Sequence, residues 1–269
     1  MLDENPYGLG FGTYSLTGED GIDALVTAIE AGYRHLDTAR LYGNEEEVGE
    51  AIERADVDRD ELFIATKIAH FEEPEKTPEY VRTGVRESLS RLGIETIDLL
   101  YHHWPRGRDD IESVLPVFNE LVEANQVERI GVSNYTPADL ELADDLLETS
   151  LYAVQAEMHP LLPQRDLREA VRGRDAYFVA YSPIAQGEVF DVPEISDVAE
   201  NHDVNEAVVS LAWLLSKDGV VPIPRSKTPA HIRGNLNALE TDLDDEDIEQ
   251  IDGIERRLRC EDPSWMEWE

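Results

Sequence analysis

The chain has one cysteine, Cys260, in 269 residues, so an intrachain disulfide is excluded and a reducing interior is its natural setting. Lysine is almost as scarce. Only Lys67, Lys76, Lys217 and Lys227 occur, and the other 19 of the 23 basic residues are arginines, set against 59 acidic ones. No run of 18 apolar residues exists, and the opening MLDENP is acidic and lacks an apolar signal core. The expectation is a soluble, unexported, cytoplasmic protein with no membrane partner. Internal repeats, low-complexity stretches and Gly/Ser linkers are also missing, and the longest irregular piece is EEPEKTP around residues 74–78. One domain spanning residues 1–269 is therefore expected.

What is abundant is negative charge. A formal net charge of -36 makes a nucleic-acid partner a poor expectation. Self-repulsion of this size destabilises a compact chain in dilute buffer, whereas at molar salt the screening length falls to about 3 Å. The acids are scattered over nearly every helical stretch instead of forming one block, which favours adaptation to a salty cytoplasm over a docking surface for a basic partner.

Short apolar runs alternate with polar, helical stretches along the whole chain. Eight strand candidates can be read: GLGFGTYS, HLDTA, LFIATKI, IDLLYHHW, VERIGVSN, YAVQAEMH, AYFVAYSPI and VVPIPRS. Between the second and third, NEEEVGEAIER (44–54) predicts a helix with Asn44 as N-cap and Glu47 three residues later. Eight strand and helix units in this length predict an α/β fold of the (β/α)8 TIM-barrel type, usually about 250 residues. In such barrels the chemistry gathers at the C-terminal ends of the strands. Asp37, Lys67, His103, Ser133, Asn134, Gln155, Tyr181 and Arg225 all fall there.

Four of the polar residues form a chemically coherent set. The Tyr42 hydroxyl, with an ordinary pKa of about 10, is a poor acid at neutral pH unless a cation stabilises its phenolate. Lys67 is a candidate for that cation, Asp37 one strand away can keep it charged, and a histidine on the next strand can donate to a carbonyl oxygen. Singly, a strand-end lysine is usually a solvated charge and a lone tyrosine a packing residue. Four on successive strand ends weaken that reading. His102 and His103 must point to opposite sides of their strand, so one faces the mouth. The remaining histidines show no H-x-H or H-E-x-x-H spacing, and no metal site is expected.

The ordered motifs GLGFGTYS, HLDTARLYGNE, FIATKI, IDLLYHHWP, IGVSN, VQAEMHP, YSPIAQG and IPRSKTPAHIRGN resemble the aldo-keto reductases over almost the whole chain. The resemblance implies a catalytic tetrad of Asp37, Tyr42, Lys67 and His103, with His103 preferred to His102 because it directly precedes Trp104-Pro105. It also implies a nicotinamide cofactor held without a Rossmann fold, in keeping with GLGFGT, which lacks the third glycine of the dinucleotide fingerprint. Ser133, Asn134 and Gln155 would hold the carboxamide, Tyr181 would stack on the ring, and Thr13, Asp37 and Ser182 would also face the cofactor. Towards the phosphates the pattern departs from the family: Arg225, Ser226 and Asn235 are kept, His231 stands where arginine is usual, and Gly234 where glutamate is usual. Arg225 can still pair a 2′-phosphate, so NADPH is the first choice and NADH the second.

By the same resemblance, Tyr14, Tyr42, His103 and Trp104 line the substrate site, with Trp265, Met266 and Trp268 of the tail as further candidates. The small prokaryotic branch with the diketogluconate reductases is the best match. Short loops after Trp104 and Gly187 suggest an open site with broad range among small carbonyl substrates, and family habit suggests a monomer. The expected activity is hydride transfer to an aldehyde or ketone, or the reverse, with Tyr42 as general acid. Two alternatives differ in class: a non-catalytic nicotinamide-binding, redox-sensing barrel subunit, and a barrel hydrolase, which would explain neither the IGVSN nor the IPRS segment. The charge generates the first prediction: dialysis from molar KCl to near-zero salt lowers the melting temperature, and an unchanged midpoint would refute salt adaptation.

Overall fold

The computed structural model describes residues 8–73, 76–266 and 268. The N-terminal MLDENP segment and residues 74–75 of the EEPEKTP turn lie outside them. Among the described residues, eight strands pair in parallel in chain order: β1 (Phe11–Gly12), β2 (His35–Asp37), β3 (Phe63–Ile68), β4 (Ile97–His102), β5 (Val127–Ser133), β6 (Ala153–Glu157), β7 (Tyr177–Tyr181) and β8 (Val220–Pro222). The last strand returns to the first through Gly10 N–H donating to the Pro222 carbonyl and Gly12 N–H to that of Pro224, both at 3.0 Å. The glycines of GLGFGT permit this approach. A Cβ on Gly12 would lie 2.9 Å from the Ile223 carbonyl oxygen, and one on Gly10 would lie 2.7 Å from Ile223 Cγ2.

Side-chain alternation then sorts each strand into two cores. Phe63 and Ala65, Leu99 and Tyr101, Ala153, Tyr177 and Val179, and Val221 with Ile223 pack inside the barrel. Ile64, Ile68, Leu100, Ile130, Val132, Val154 and Phe178 face the helices. Gly131 makes room for an inner neighbour, since a Cβ there would lie 2.6 Å from the Tyr101 ring. Continuing each inward row by two residues reaches Asp37, Lys67, His103, Ser133, Gln155 and Tyr181, so the interior is apolar in the middle and polar at the C-terminal mouth.

The helices α1 (Gly18–Ala31), α2 (Glu45–Arg54), α3 (Pro78–Leu92) and α4 (Arg108–Glu123) cover the first half of the outer face. Asn44 occupies the N-cap position of α2, but its side chain does not cap. Its amide donates to the carbonyls of Thr13, at 2.8 Å, and Leu16, at 2.9 Å, and its oxygen accepts from Thr38 Oγ1. Tertiary contacts outcompete the local cap, and Glu47 accepts from the Gly18 N–H instead of completing a capping box. Glu45 is buried and accepts from Thr66, Ser88 and Arg91, joining α2 to β3 and α3. No helix among the described residues is long and apolar enough to cross a membrane.

Several histidines are enclosed by this packing and kept neutral. Burial depresses His35 to about 4, His70 to about 4 and His102 to about 3. The unfolded chain takes up protons near pH 6.5 that the fold refuses, so these groups favour the folded state above pH 6.5. We expect stability measured by urea denaturation in molar KCl to fall as pH is lowered from about 6.5 towards 4. A flat profile across that window would contradict the neutral, buried assignment.

Candidate active site

Asp37 and Lys67 reach the mouth as the next inward residues of β2 and β3, and burial turns them towards each other and a few polar neighbours. The Lys67 side chain is 0% exposed and that of Asp37 2%. Lys67 Nζ donates to Asp37 Oδ1 and, at 2.8 Å, to the Thr38 carbonyl. The other carboxylate oxygen accepts from Gln155 Nε2 at 2.8 Å, which ties β6 to the pair. Burial opposes charge on Lys67, but Asp37 and then Tyr42 outweigh it and hold the ammonium above its ordinary pKa.

Tyr42 comes from the loop after β2. The chain leaves Asp37 extended, makes the 3-10 turn Arg40–Tyr42, and is stopped by Gly43 at φ 64, a left-handed conformation suited to glycine. This turn brings the Tyr42 ring centroid to 5.2 Å from Lys67 Nζ and 5.7 Å from the His103 ring. Burial raises the Tyr42 pKa above its ordinary value; Lys67 pulls it down and Asp37 pushes it up. Lys67 thus acts in the expected direction and offsets part of the burial penalty without reversing it.

His103 follows β4 on the inward side, and its N–H donates to the Ile68 carbonyl at 2.8 Å. Burial, reinforced by Lys67, His70 and His102, keeps its pKa well below the usual value, so it is neutral. His102 faces outward, with Nδ1 2.7 Å from the Tyr135 hydroxyl. The mouth histidine is thus His103. His70 and Phe71 also reach this wall, with the His70 ring 4.7 Å from that of His103 and Phe71 5.4 Å from Trp104. Sequence reasoning missed both, although HF directly follows FIATKIA.

The residues expected at the carboxamide converge. Ser133 ends β5, and Asn134, at φ 60, turns its Nδ2 towards Ser133 Oγ, at 3.1 Å, and the His103 carbonyl, at 3.2 Å. The Tyr181 hydroxyl donates to Asn134 Oδ1 at 2.8 Å. A primary amide has one acceptor and two donors, and Ser133, Asn134 and Gln155 present both kinds of partner in one buried patch. Thr13 Oγ1 is buried beside it without a hydrogen-bond partner. This donor set fits a nicotinamide. Ser182 follows Tyr181 in a left-handed conformation, at φ 47. The phosphate candidates gather after β8: Arg225, Lys227, His231 and Arg233 are exposed, Ser226 is buried, and half-buried Asn235 lies beside the Tyr33 hydroxyl. Such a cation group on so acidic a chain fits a phosphate.

The Aldo/keto reductase family model matches residues 8–256. The chain belongs to that family. It is accordingly an NAD(P)H-dependent oxidoreductase acting on carbonyl groups. It is 33% identical over 251 residues to the glyoxal reductase of Bacillus subtilis, covering 93% of this chain and 89% of that one. It is 36% identical over 263 residues to 2,5-diketo-D-gluconic acid reductase B of a Corynebacterium, covering 96% and 93%. Among solved structures, an aldo/keto reductase from Brucella melitensis superposes with a TM-score of 0.85 at 33% identity, over 91% of this chain and 92% of that one.

On the substrate side, Tyr14 is exposed, with its ring 5.1 Å from that of Tyr42. Trp104 is buried beneath the C-terminal tail, 6.4 Å from the Trp265 ring and 5.9 Å from that of Trp268. The tail tryptophans named as candidates thus lie against Trp104, on the wall that the short loops leave to the tail. Sequence spacing did not anticipate how the tail is fastened. Glu157, one inward step above Gln155, accepts from His159 Nε2 at 2.8 Å and from the N–H groups of Cys260, at 2.6 Å, and Glu261, at 2.8 Å. Glu157, His159 and Cys260 bring three potential metal-ligand atoms within 4.8 Å of one another. The carboxylate is already committed to these donors.

Breaking the central ion pair strands a charge in the barrel. We predict that Lys67→Met costs about 3–5 kcal/mol of unfolding free energy, against within about 1 kcal/mol for Tyr42→Phe. Denaturant titration of the two variants distinguishes them, and equal stabilities would refute the buried-pair account.

Proposed function

We propose that the chain reduces small aldehydes or ketones, with NADPH preferred, NADH as second choice and Tyr42 as general acid. The observation that carries this reading is the Lys67 ammonium, fixed by Asp37 and set against the Tyr42 ring. A bound reduced nicotinamide supplies the hydride. Ser133, Asn134 and Gln155 would hold its carboxamide, with Thr13, Asp37, Tyr181 and Ser182 around the ring. Arg225, Ser226, His231 and Asn235 would serve the adenosine phosphate, and the exposed Arg225 supports NADPH, while His231 relaxes that preference.

The residues of the chain divide the remaining work. Neutral His103 hydrogen-bonds the substrate carbonyl and sets its orientation, together with Tyr14 and Trp104. Tyr42 gives its proton to the oxygen as negative charge develops there. Lys67 then faces the phenolate and limits the cost of forming it, while Asp37 keeps Lys67 protonated. The raised Tyr42 pKa keeps the phenol protonated at neutral pH, so the acid is always loaded. The relatives named for glyoxal and diketogluconic acid point to small dicarbonyl or keto-sugar substrates. The same proposal takes the chain as a one-domain, salt-adapted, cytoplasmic monomer. Exposed acids scattered along the helices, such as Glu46, Glu50, Glu53, Asp245 and Glu246, support the salt adaptation.

The test is loss of NADPH and NADH absorbance with methylglyoxal, a keto sugar and small aldehydes in molar KCl. Carbonyl-dependent oxidation is expected, and Tyr42→Phe should lower its rate roughly 10²- to 10⁴-fold. Cofactor binding without turnover would identify the non-catalytic subunit instead, and a fully active Tyr42→Phe would remove the general-acid assignment.

A further inference from the structure

The tail beside the mouth carries a cation that forms no ion pair with any described residue. Arg259 is half-buried, and its guanidinium makes no hydrogen bond or ion pair with any described residue; Nη1 in particular is buried without a partner. Its backbone neighbours are pinned on both sides. Leu258 N–H donates to the Leu161 carbonyl at 3.1 Å, and Cys260 and Glu261 are held by Glu157. A flexible side chain on a fixed backbone is thereby kept in one place, stacked 3.9 Å over the Trp268 ring.

Among the described residues, each carboxylate near Arg259 already accepts from another donor. Glu157 takes the two tail amides and His159, Asp262 accepts from the Trp268 indole N–H at 2.9 Å, and Glu261 accepts from Gln186 at 2.9 Å. Burial lowers the pKa of the guanidinium, opposed by Glu157, Tyr181 and Asp262, which marks a cation partly deprived of water. Trp268 in turn packs on Trp104, next to His103, and Arg106 lies 6.0 Å from the Trp265 ring. The aromatic wall beside the tetrad is therefore backed by two arginines, in a chain whose net charge of -36 repels anions.

We propose that Arg259 is a specificity-determining residue that binds an oxyanion, most simply a carboxylate, carried by the carbonyl substrate several bonds from the reacting carbon. Glu157 is its positioning residue. The proposal rests on the reductase reading for its kinetics, but not for the anion site itself. An arginine presents paired N–H donors to a carboxylate, and one that is already stacked and backbone-fixed loses little freedom on binding.

The test compares 4-carboxybenzaldehyde with 4-methylbenzaldehyde, which match in shape and differ in charge, at one KCl concentration. The ratio of kcat/KM for acid over methyl compound should fall tenfold or more in Arg259→Gln, through the KM of the acid, and should recover in part in Arg259→Lys. An unchanged ratio, or an equal loss on both aldehydes, overturns the proposal. Benzoate binding by calorimetry needs no turnover. Weaker binding in Arg259→Gln than in the natural chain supports the anion site even if neither aldehyde is reduced, and equal binding by both overturns it.

Discussion

A lysine ammonium enclosed in a barrel is stable only if something answers its charge, and the Asp37–Lys67 pair is the constraint on which the rest of the mouth depends. Removing two charges from water costs several kcal/mol per ion, recovered only when geometry is good and the remaining donors and lone pairs are filled. Here Thr38 fills one lysine donor, and Gln155, reaching across from β6, fills the second carboxylate oxygen. The pair thus demands a particular register of β2 against β3 and a particular depth for β6. Tyr42 and His103 inherit their positions from it.

The electrostatics of the site follow from burial more than from any single neighbour. Burial is the largest influence on both groups, raising Tyr42 and lowering His103; Lys67 opposes it at Tyr42 and reinforces it at His103. A neutral hydrogen-bond donor and a loaded proton donor side by side suit the reduction of a polar double bond. Lys67 matters when the phenolate appears, since an opposite charge already in place needs no reorganisation.

Around this rigid centre, the substrate wall is built from irregular chain. The described residues 258–266 and 268 form no helix or strand and are located by backbone bonds to Glu157 and Leu161, an ion pair between Arg256 and Glu188, and packing of Trp265 and Trp268 on Trp104. Rigid strand ends supply the reacting groups, and an irregular tail supplies selectivity. That division lets a fold keep its chemistry while its substrates change.

Much of the centre was legible because strand periodicity and barrel topology are written in short-range pattern. Alternation puts His102 and His103 on opposite sides, the resemblance picks His103, and Lys67 points inward two residues beyond Ala65. What escaped was whatever depends on partners distant in sequence. Asn44 reads as a helix cap, yet the carbonyls of Thr13 and Leu16 claim its side chain. Glu157 and His159 read as a motif without a task until residues 260–261 arrive to be held. The net burial of Tyr42, which decides the direction of its pKa, has no local signature. The amino-acid sequence by itself determined the strand rhythm and the inward rows, which follow from local spacing, and the family and reactive residue types, which the ordered motifs carry. Only the tertiary structure decided which polar atoms find partners and which, like Arg259 Nη1, do not, because hydrogen-bond satisfaction and desolvation depend on what the folded chain brings near.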